Sequence, residues 1–299
     1  MSFTSLPAEL HLLIATHLPP HSLLSVTLTC RRYHSLYLPR LLALTHDPKG
    51  NLPALHWSIV RNYPLLTKYL LATKPTLINT TTSDGWTPLH YAAAQGLPAA
   101  IILLLDHGAD PKQRDYIGAA PLDHAPSFAP QDRFDDLRRF PSYQSCGDRK
   151  PVDRWHIWHG EQAYEEIARR LLAVGAKVDN QDLFGRTALF WAARGGVWGI
   201  ARALVEAGAD VNLATRDGET ALMAAVCGCR DGVEEEERVK IVEMLVAAGA
   251  DLEVVNGAGG EVFEMAMRAG ARKVMRLLVG AREGVDEEWT DEEIVASGR

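Results

Sequence analysis

Apolar and polar residues recur along most of the chain in a pattern with a period of about 33 residues. The glycines Gly85, Gly118, Gly185 and Gly218 are 33, 67 and 33 residues apart, and 67 equals 33 plus 34. The segments that begin at the first and third of these glycines read GWTPLHYAAAQG and GRTALFWAARGG. A period of this length predicts a repeat protein, in which each unit covers its apolar face by stacking on its neighbours.

One unit of the repeat predicts two short helices joined by a turn. Thr87 is a preferred N-cap residue, and Pro88 suits the first helical position, where its missing N–H would have no partner in any case. Apolar residues at helical spacing then give each helix one buried face, and Gly108 supplies the left-handed residue on which helices commonly end. The predicted fold class is therefore all-α, an α-solenoid with short turns and hairpins.

The first forty residues do not fit the repeat and predict three short helices. Pro7 lies in the first turn of a helix whose apolar face includes Leu10, Ile14 and Leu18. A second helix follows Ser22, and a third follows the second. Three helices of this size are marginal as an isolated domain. Their many leucines therefore indicate that some of them contact a partner.

The repeated units resemble ankyrin repeats, whose helix opening is matched almost letter for letter by Thr87-Pro88-Leu89-His90. The resemblance implies about six repeats over residues 46–281. The third repeat carries an insertion at 126–160, and the fifth gains a shorter one between its helices. The first and last units match the pattern weakly, as expected for terminal repeats that face water.

The ankyrin resemblance also implies a protein-binding surface, made by the turn tips before each first helix and by the inner helix faces. Large apolar groups at such tips are typical of binding hot spots, so Trp86, Tyr116 and Phe184 are expected to be exposed. The residues that the resemblance assigns to target binding are Asp84, Trp86, Gln95, Tyr116, Ile117, Phe184, Arg186, Arg194, Arg216 and Glu219.

Residues 5–40 resemble the F-box motif, with Leu6-Pro7, Glu9-Leu10 and Cys30-Arg31 at the family's positions and Tyr33 where the family most often has tryptophan. The resemblance implies an F-box over residues 1–45 that docks onto the linker subunit of a cullin-based, SCF-type ubiquitin ligase. The alternative is that these helices only cap the repeats. The residues that the resemblance implies for linker binding are Leu6, Pro7, Leu10, Ile14, Leu18, Leu23 and Val26.

The insertion at 126–160 holds six aromatic residues, Trp155 and Trp158 among them, with few aliphatic ones. A composition rich in aromatic residues and arginine is closer to an interface than to a domain core. Trp155 and Trp158 are therefore further candidates for target binding. Packing of these aromatics against the outer helices is an equally good interpretation.

Composition and charge exclude several classes of protein. Apolar residues make up 47% and charged residues 23% of the 299, which excludes wholesale disorder. The formal net charge of −7 disfavours a nucleic-acid partner. The longest clean apolar stretch, 97–105, is too short to cross a membrane. We expect a protein of the cytoplasm, the nucleus or both, with reduced thiols and an acidic tail at 282–299 that could include a docking motif around Trp289.

No segment predicts catalysis or a cofactor. The phosphate-binding, nucleophile-elbow and zinc-protease motifs are absent from the sequence. His90 is expected to serve the structure, since ankyrin histidines at this position tie a helix start to neighbouring loops. Cys227 and Cys229 lack a second ligand pair with zinc spacing. Three residues of the insertion remain candidates for zinc ligands, although their spacing matches no standard zinc site: Cys146, His156 and His159.

The predicted function is that of a substrate-recognition adaptor rather than an enzyme. In this interpretation the F-box holds the linker and cullin subunits of the ligase, and the repeats hold a target protein. The alternative is an ankyrin scaffold that binds proteins without any role in ubiquitin transfer.

Overall fold

The computed structural model describes residues 53–60, 62–125, 161–227 and 235–283. The predicted F-box, the insertion at 126–160, and the tail from residue 284 lie outside the described residues. The described part is helical, which confirms the predicted fold class. Within it, extended backbone pairing is limited to one isolated antiparallel bridge between Val255 and Glu261.

The described residues form twelve α-helices, which follow one another as six pairs of a first and a second helix. A 3-10 turn at Pro75–Leu77 follows the first pair. The helices are α1 (Ala54–Val60), α2 (Pro64–Thr73), α3 (Pro88–Ala94), α4 (Pro98–Asp106), α5 (Pro121–His124), α6 (Glu161–Ala173), α7 (Ala188–Gly195), α8 (Trp198–Glu206), α9 (Ala221–Cys227), α10 (Glu235–Ala247), α11 (Val262–Ala269) and α12 (Arg272–Glu283).

The chain divides into two compact units, and the described residues of the first are 53–60, 62–92 and 99–110. In this unit α1 packs against α2, and every residue of α1 is buried. Leu55, Leu66 and Leu70 are fully buried at this contact. The weakly matching first repeat is thus a complete helix pair with an apolar core.

The second unit contains the described residues 93–98 and 111–125 and those from 161 onward. Its first helices pack in the order α5, α7, α9 and α11, and its second helices in the order α6, α8, α10 and α12. Small residues allow this approach: Ala192 and Ala193 of α7, and Ala224 and Ala225 of α9, are buried. Each repeat therefore covers its apolar face with the next one, as the period predicts.

The N-cap prediction for the repeat is confirmed at α7. Thr187 adopts an extended backbone conformation, and its side chain accepts a hydrogen bond from the N–H of Phe190 at 3.1 Å. This bond satisfies one of the N–H groups that the first turn of a helix leaves without a partner. Helix α7 therefore begins at a fixed residue, which also fixes the end of the turn tip that precedes it.

Candidate functional site

Each turn tip of the second unit is shaped by one polar side chain at its start. Asp182 Oδ1 accepts hydrogen bonds from the N–H groups of Phe184 and Arg186, at 2.8 and 2.9 Å. Asp115 makes the same pair of bonds in the preceding tip. Gly185 completes the turn with φ of 76°, in the region that favours glycine. The tips are therefore held in one shape before any partner binds.

Backbone hydrogen bonds join neighbouring tips of the second unit side by side. The N–H of Leu183 donates to the carbonyl of Ile117 at 2.8 Å, and the N–H of Arg216 donates to the carbonyl of Phe184 at 2.9 Å. A third bond of the same kind reaches the last tip. The tips consequently form one continuous row with fixed spacing.

Exposure of the predicted target-binding residues is highest on this row of tips. Tyr116 is 71% exposed and Phe184 is 51% exposed, as predicted, and Leu183 between them is exposed as well. Arg194, on the last turn of α7, and Arg216, on the next tip, are also exposed. The predicted residues that are half-buried in this unit are Gln95, Ile117, Arg186 and Glu219.

Arg186 lies between two aromatic rings. Its Cζ atom is 4.3 Å from the ring centroid of Phe184 and 4.5 Å from that of Trp191. Asp182, whose side chain is buried, accepts from the Nε of Arg186 at 2.8 Å and lies 2.7 Å from its Nη2. The guanidinium is thus fixed by an ion pair and by two cation–π contacts.

Trp191 belongs to this site, although the sequence pattern suggests otherwise. It occupies the same helix position as Trp57 and Tyr91, where helical spacing predicts aromatic rings that pack between repeats, and both of these residues are buried. Trp191, by contrast, is half-buried and faces the guanidinium of Arg186. The sequence signal that sets Trp191 apart is Arg186, five positions before it. No basic residue lies five positions before Trp57 or Tyr91.

The inner face of the second unit continues from α7 to the end of α9. Cys227 is exposed, and burial of part of the thiol raises its pKa. The charge of Glu219 also raises this pKa, while that of Arg194 lowers it. The thiol at the end of α9 is therefore influenced by one charge from a turn tip and one from α7.

The expectation that Trp86 is exposed was wrong. Trp86 is only 4% exposed, because its ring lies against those of His90 and Tyr91, with centroids 6.2 and 5.0 Å away. Its backbone carbonyl is also hydrogen-bonded to His56 Nε2 at 3.0 Å. The side chain therefore packs onto its own first helix, and it cannot contact a target from this position.

The remaining predicted residues stay predictions. Asp84 is half-buried in the first unit. Trp155 and Trp158 lie outside the described residues, as do all seven residues assigned to linker binding.

The structural role predicted for His90 is confirmed. The N–H of Thr87 donates to His90 Nδ1 at 3.1 Å, and the Thr87 hydroxyl lies 2.8 Å from the same atom. His56 holds this position in the first repeat, and burial lowers its pKa to about 4. His56 is therefore neutral at pH 7 and ties its helix to the next tip.

Asp123 replaces this histidine in the third repeat, where Ala120 also replaces the N-cap threonine. Its buried Oδ2 accepts hydrogen bonds from the Ala120 N–H at 2.7 Å and from Asn180 Nδ2 at 2.5 Å. Burial raises the pKa of Asp123 to about 7, against the effect of these bonds. In the usual cap, the side chain of the N-cap residue accepts a hydrogen bond from the N–H of the third helical residue. Here the direction is reversed, because the side chain of the third helical residue, Asp123, accepts from the N–H of the N-cap residue, Ala120.

The raised pKa of Asp123 makes stability depend on pH. A carboxyl whose pKa is higher in the folded state stabilises the protein fully below its unfolded pKa near 3.8, and this contribution is lost as the pH rises through about 7. We expect the melting temperature of Asp123→Asn, relative to wild type, to rise by several degrees between pH 4.5 and 8. Differential scanning fluorimetry across this range measures it. Asp106→Asn, at an exposed carboxyl, is the matched control, and a flat difference for Asp123→Asn would contradict the assignment.

The described residues contain no group of three or more His, Cys, Asp or Glu side chains that could hold a metal ion. The zinc candidates Cys146, His156 and His159 lie outside them, and so does Cys229. In the same described part of the chain, no helix is long and apolar enough to span a bilayer.

Six helix pairs in the described residues, the last four with linked turn tips, define a helical repeat protein. A family model described as "Ankyrin repeats (3 copies)" matches residues 30–115 and 157–256, which together are more than half of the chain. The chain therefore belongs to the ankyrin-repeat family. A model described as "F-box-like" matches residues 3–42, so an F-box-like domain precedes the repeats, as the sequence predicted.

Curated relatives are similar over the repeats. "Ankyrin repeat and SOCS box protein 6" of Homo sapiens is 30% identical over 183 residues, which cover 56% of this chain and 35% of that protein. "Palmitoyltransferase ZDHHC17" of Homo sapiens is 29% identical over 177 residues, covering 58% and 28%. The chain thus spans only about a third of the length of these relatives, and the palmitoyltransferase similarity is confined to the ankyrin region.

A solved structure agrees with this assignment. The crystal structure of an ankyrin repeat domain from Acinetobacter baumannii AYE is similar, with a TM-score of 0.55 and 26% sequence identity. The similarity covers 76% of this chain and 96% of that domain. The helix pairs described above therefore have the arrangement of an ankyrin repeat domain.

Proposed function

We propose that this protein is a substrate-recognition adaptor of an SCF-type, cullin-based E3 ubiquitin ligase. The observation that carries the proposal is the order of the two modules, an F-box-like domain at residues 3–42 followed by ankyrin repeats with an exposed row of tips. In this proposal the first module docks onto the linker subunit of the ligase, and through it onto the cullin subunit. The repeats bind the target protein.

Apolar residues of the first module make the contact with the linker subunit. Leu10, Ile14 and Leu18 recur at the spacing of one helix face, and Leu6-Pro7 precedes them. A face of this kind on a helix too small to have its own core gains stability when a partner covers it. Leu23 and Val26 extend the same contact from the second predicted helix.

The adaptor contributes proximity rather than bond-making chemistry. Holding a target beside the ligase makes the transfer of ubiquitin to the target's lysines effectively intramolecular, at an effective concentration in the millimolar range for a short tether. We infer that no residue of this chain forms a covalent intermediate and that no cofactor takes part. The place of action is the cytoplasm, the nucleus or both.

The name of the human relative supports this division of labour, since it joins ankyrin repeats to a SOCS box in one protein. The alternative function is that of a protein-binding scaffold without a ubiquitin role. It is favoured by the curated relatives, because their similarity to this chain lies largely in the repeats.

Co-purification from cells discriminates between the two functions. The full-length protein, tagged and captured at near-physiological salt, is expected to bring down the linker and cullin subunits in comparable amounts. Quantitative mass spectrometry measures both against a capture of the tag alone. If neither subunit is enriched, the adaptor proposal fails and the scaffold remains.

A further inference from the structure

Exposed apolar side chains cross two neighbouring tips of the second unit. The exposed Tyr116 and the half-buried Ile117 stand on one tip, and the exposed Leu183 and Phe184 stand on the next. The backbone bond between Leu183 and Ile117 keeps the two tips adjacent, so these side chains form one strip. A strip of this kind on a preformed surface can bind a large apolar side chain with little loss of conformational entropy.

One fixed guanidinium borders this strip. Arg186 uses its Nε and Nη2 atoms on Asp182, and within the described residues its Nη1 atom makes no hydrogen bond. The rings of Phe184 and Trp191 cover part of the group, whose side chain is 24% exposed, and this partial burial strengthens a bond to an incoming anion. Arg186 is therefore oriented to donate to a carboxylate that lies beside the strip.

Two further guanidinium groups, those of Arg194 and Arg216, are exposed on the same face. In the described part of the chain neither forms an ion pair. The acidic groups of these tips are the exposed Asp217, the half-buried Glu219, and two buried carboxylates that already have partners, Asp182 with Arg186 and Asp115 with His124. Positive charge thus borders the apolar strip, and the two free acids lie on the side of the Arg216 tip.

We infer that this face binds an acidic segment of the target protein, in which a large apolar side chain lies next to carboxylates. The apolar side chain packs on the strip, and the carboxylates pair with the three arginines. The inference rests on the proposed function and names the chemistry of its target. The face is called the aromatic–arginine face below and consists of Tyr116, Phe184, Arg186, Trp191, Arg194 and Arg216.

The net charge of the whole chain makes this inference specific. The formal charge of −7 repels an acidic segment, so overall attraction cannot bring it to the protein. Binding of an acidic segment requires the local arrangement of arginines. If only the net charge of the chain governed binding, a selection for bound peptides would instead enrich basic ones.

Selection from a random peptide library, displayed on phage and captured by the full-length protein, tests the inference. We expect enrichment of peptides with two or more Asp or Glu residues next to Trp, Phe or Leu. The enriched peptide is then made with a fluorophore, and its affinity is measured by fluorescence anisotropy at about 0.15 M salt. Enrichment of basic or uncharged peptides, or of none, would overturn the inference.

Matched variants locate the bound peptide. Arg194→Glu with Arg216→Glu, and separately Phe184→Ala, are each expected to weaken binding by about tenfold or more, the size expected for hot-spot contacts. Lys177→Glu with Lys240→Glu makes the same charge change at exposed residues elsewhere in the unit, and Val174→Ala removes another exposed apolar group. These controls should bind within about twofold of wild type, a difference below that of a typical interface contact.

Equal binding by wild type and the aromatic–arginine variants, with matching thermal melts, would remove the inference. The adaptor proposal would survive that result, because capture of the linker and cullin subunits depends on a different module. Loss of those subunits with intact peptide binding would instead overturn the adaptor proposal and leave the assignment of the aromatic–arginine face standing.

Discussion

Replacing Leu10 and Ile14 together by aspartate is expected to abolish capture of the linker and cullin subunits. The two residues are four positions apart, which places them on one face of the predicted first helix. A carboxylate buried against an apolar partner without a compensating charge costs several kcal/mol, and here two would be buried. Co-purification of the full-length variant, quantified against wild type, measures the loss.

The control for this double variant is Leu65→Asp with Val174→Asp, the same chemical change at two exposed apolar residues of the repeats. It should capture as much linker subunit as wild type. The helical circular-dichroism signal of the Leu10 and Ile14 variant should stay largely intact, because the twelve helices of the described residues lie in the repeats and are left unchanged. Full retention of both subunits by this variant would show that the predicted helix face does not carry the contact.

Gly185→Ala is expected to destabilise the second unit more than an alanine at any glycine that only ends a helix. A Cβ atom at Gly185 would lie 3.1 Å from Thr215 Cα and 3.1 Å from Arg216 N, which are backbone atoms of the next tip. In addition, φ of 76° costs an L-residue about 1–2 kcal/mol. The substitution therefore adds backbone strain and forces two joined tips apart.

Gly208→Ala separates these two causes. Gly208 has φ of 85°, and a Cβ atom there would meet no other atom within 4 Å. An alanine at this position therefore has only the conformational cost of a positive φ. We expect the free energy of unfolding, measured with urea, to be lower in Gly185→Ala than in Gly208→Ala by about 1 kcal/mol or more. This is the cost of displacing well-packed atoms to make room for an added methyl group. Equal losses would mean that the tips are not closely joined.

Much of the fold follows from single residues of the sequence. The caps at Thr87 and Thr187, and the left-handed Gly108, set where helices begin and end through local backbone geometry. These signals are local and do not depend on contacts between residues far apart in the sequence. For this reason the last repeat could be placed from the sequence even though it matches the pattern weakly. The bounds of the three predicted domains stay predictions.

The site was predicted less completely, because exposure depends on neighbours that the pattern does not identify. Trp86 follows its tip glycine and takes the place that Arg186 has in a later tip, whereas Phe184 precedes its glycine. The Trp86 ring turns onto that of Tyr91, while Phe184 lies against the guanidinium of Arg186 and stays exposed. The repeat pattern fixes the place of each residue in its tip but does not say which neighbouring ring or charge its side chain will contact. In the same way, the helix position of Trp191 predicts packing between repeats, yet its half-buried ring contacts the guanidinium of Arg186.

The buried carboxyl of Asp123 shows a further limit of the repeat pattern. It occupies the sequence position of His90, and its bond to the Ala120 N–H gives it a similar structural role. The partner that completes its surroundings is Asn180, which lies 57 residues further along the chain. Only the fold brings the two together, so the raised pKa of Asp123 could not be inferred from the local sequence.

Proximity labelling in cells is the measurement that tests the central claim most directly, since the claim is that one chain holds a ligase and a target at the same time. Labelling by the full-length wild type is compared with labelling by the Leu10→Asp, Ile14→Asp variant. The account predicts that the variant loses the linker and cullin subunits and keeps a set of target proteins, whose cellular amounts rise. Absence of the ligase subunits from the wild-type set, or loss of the targets together with them, would contradict it.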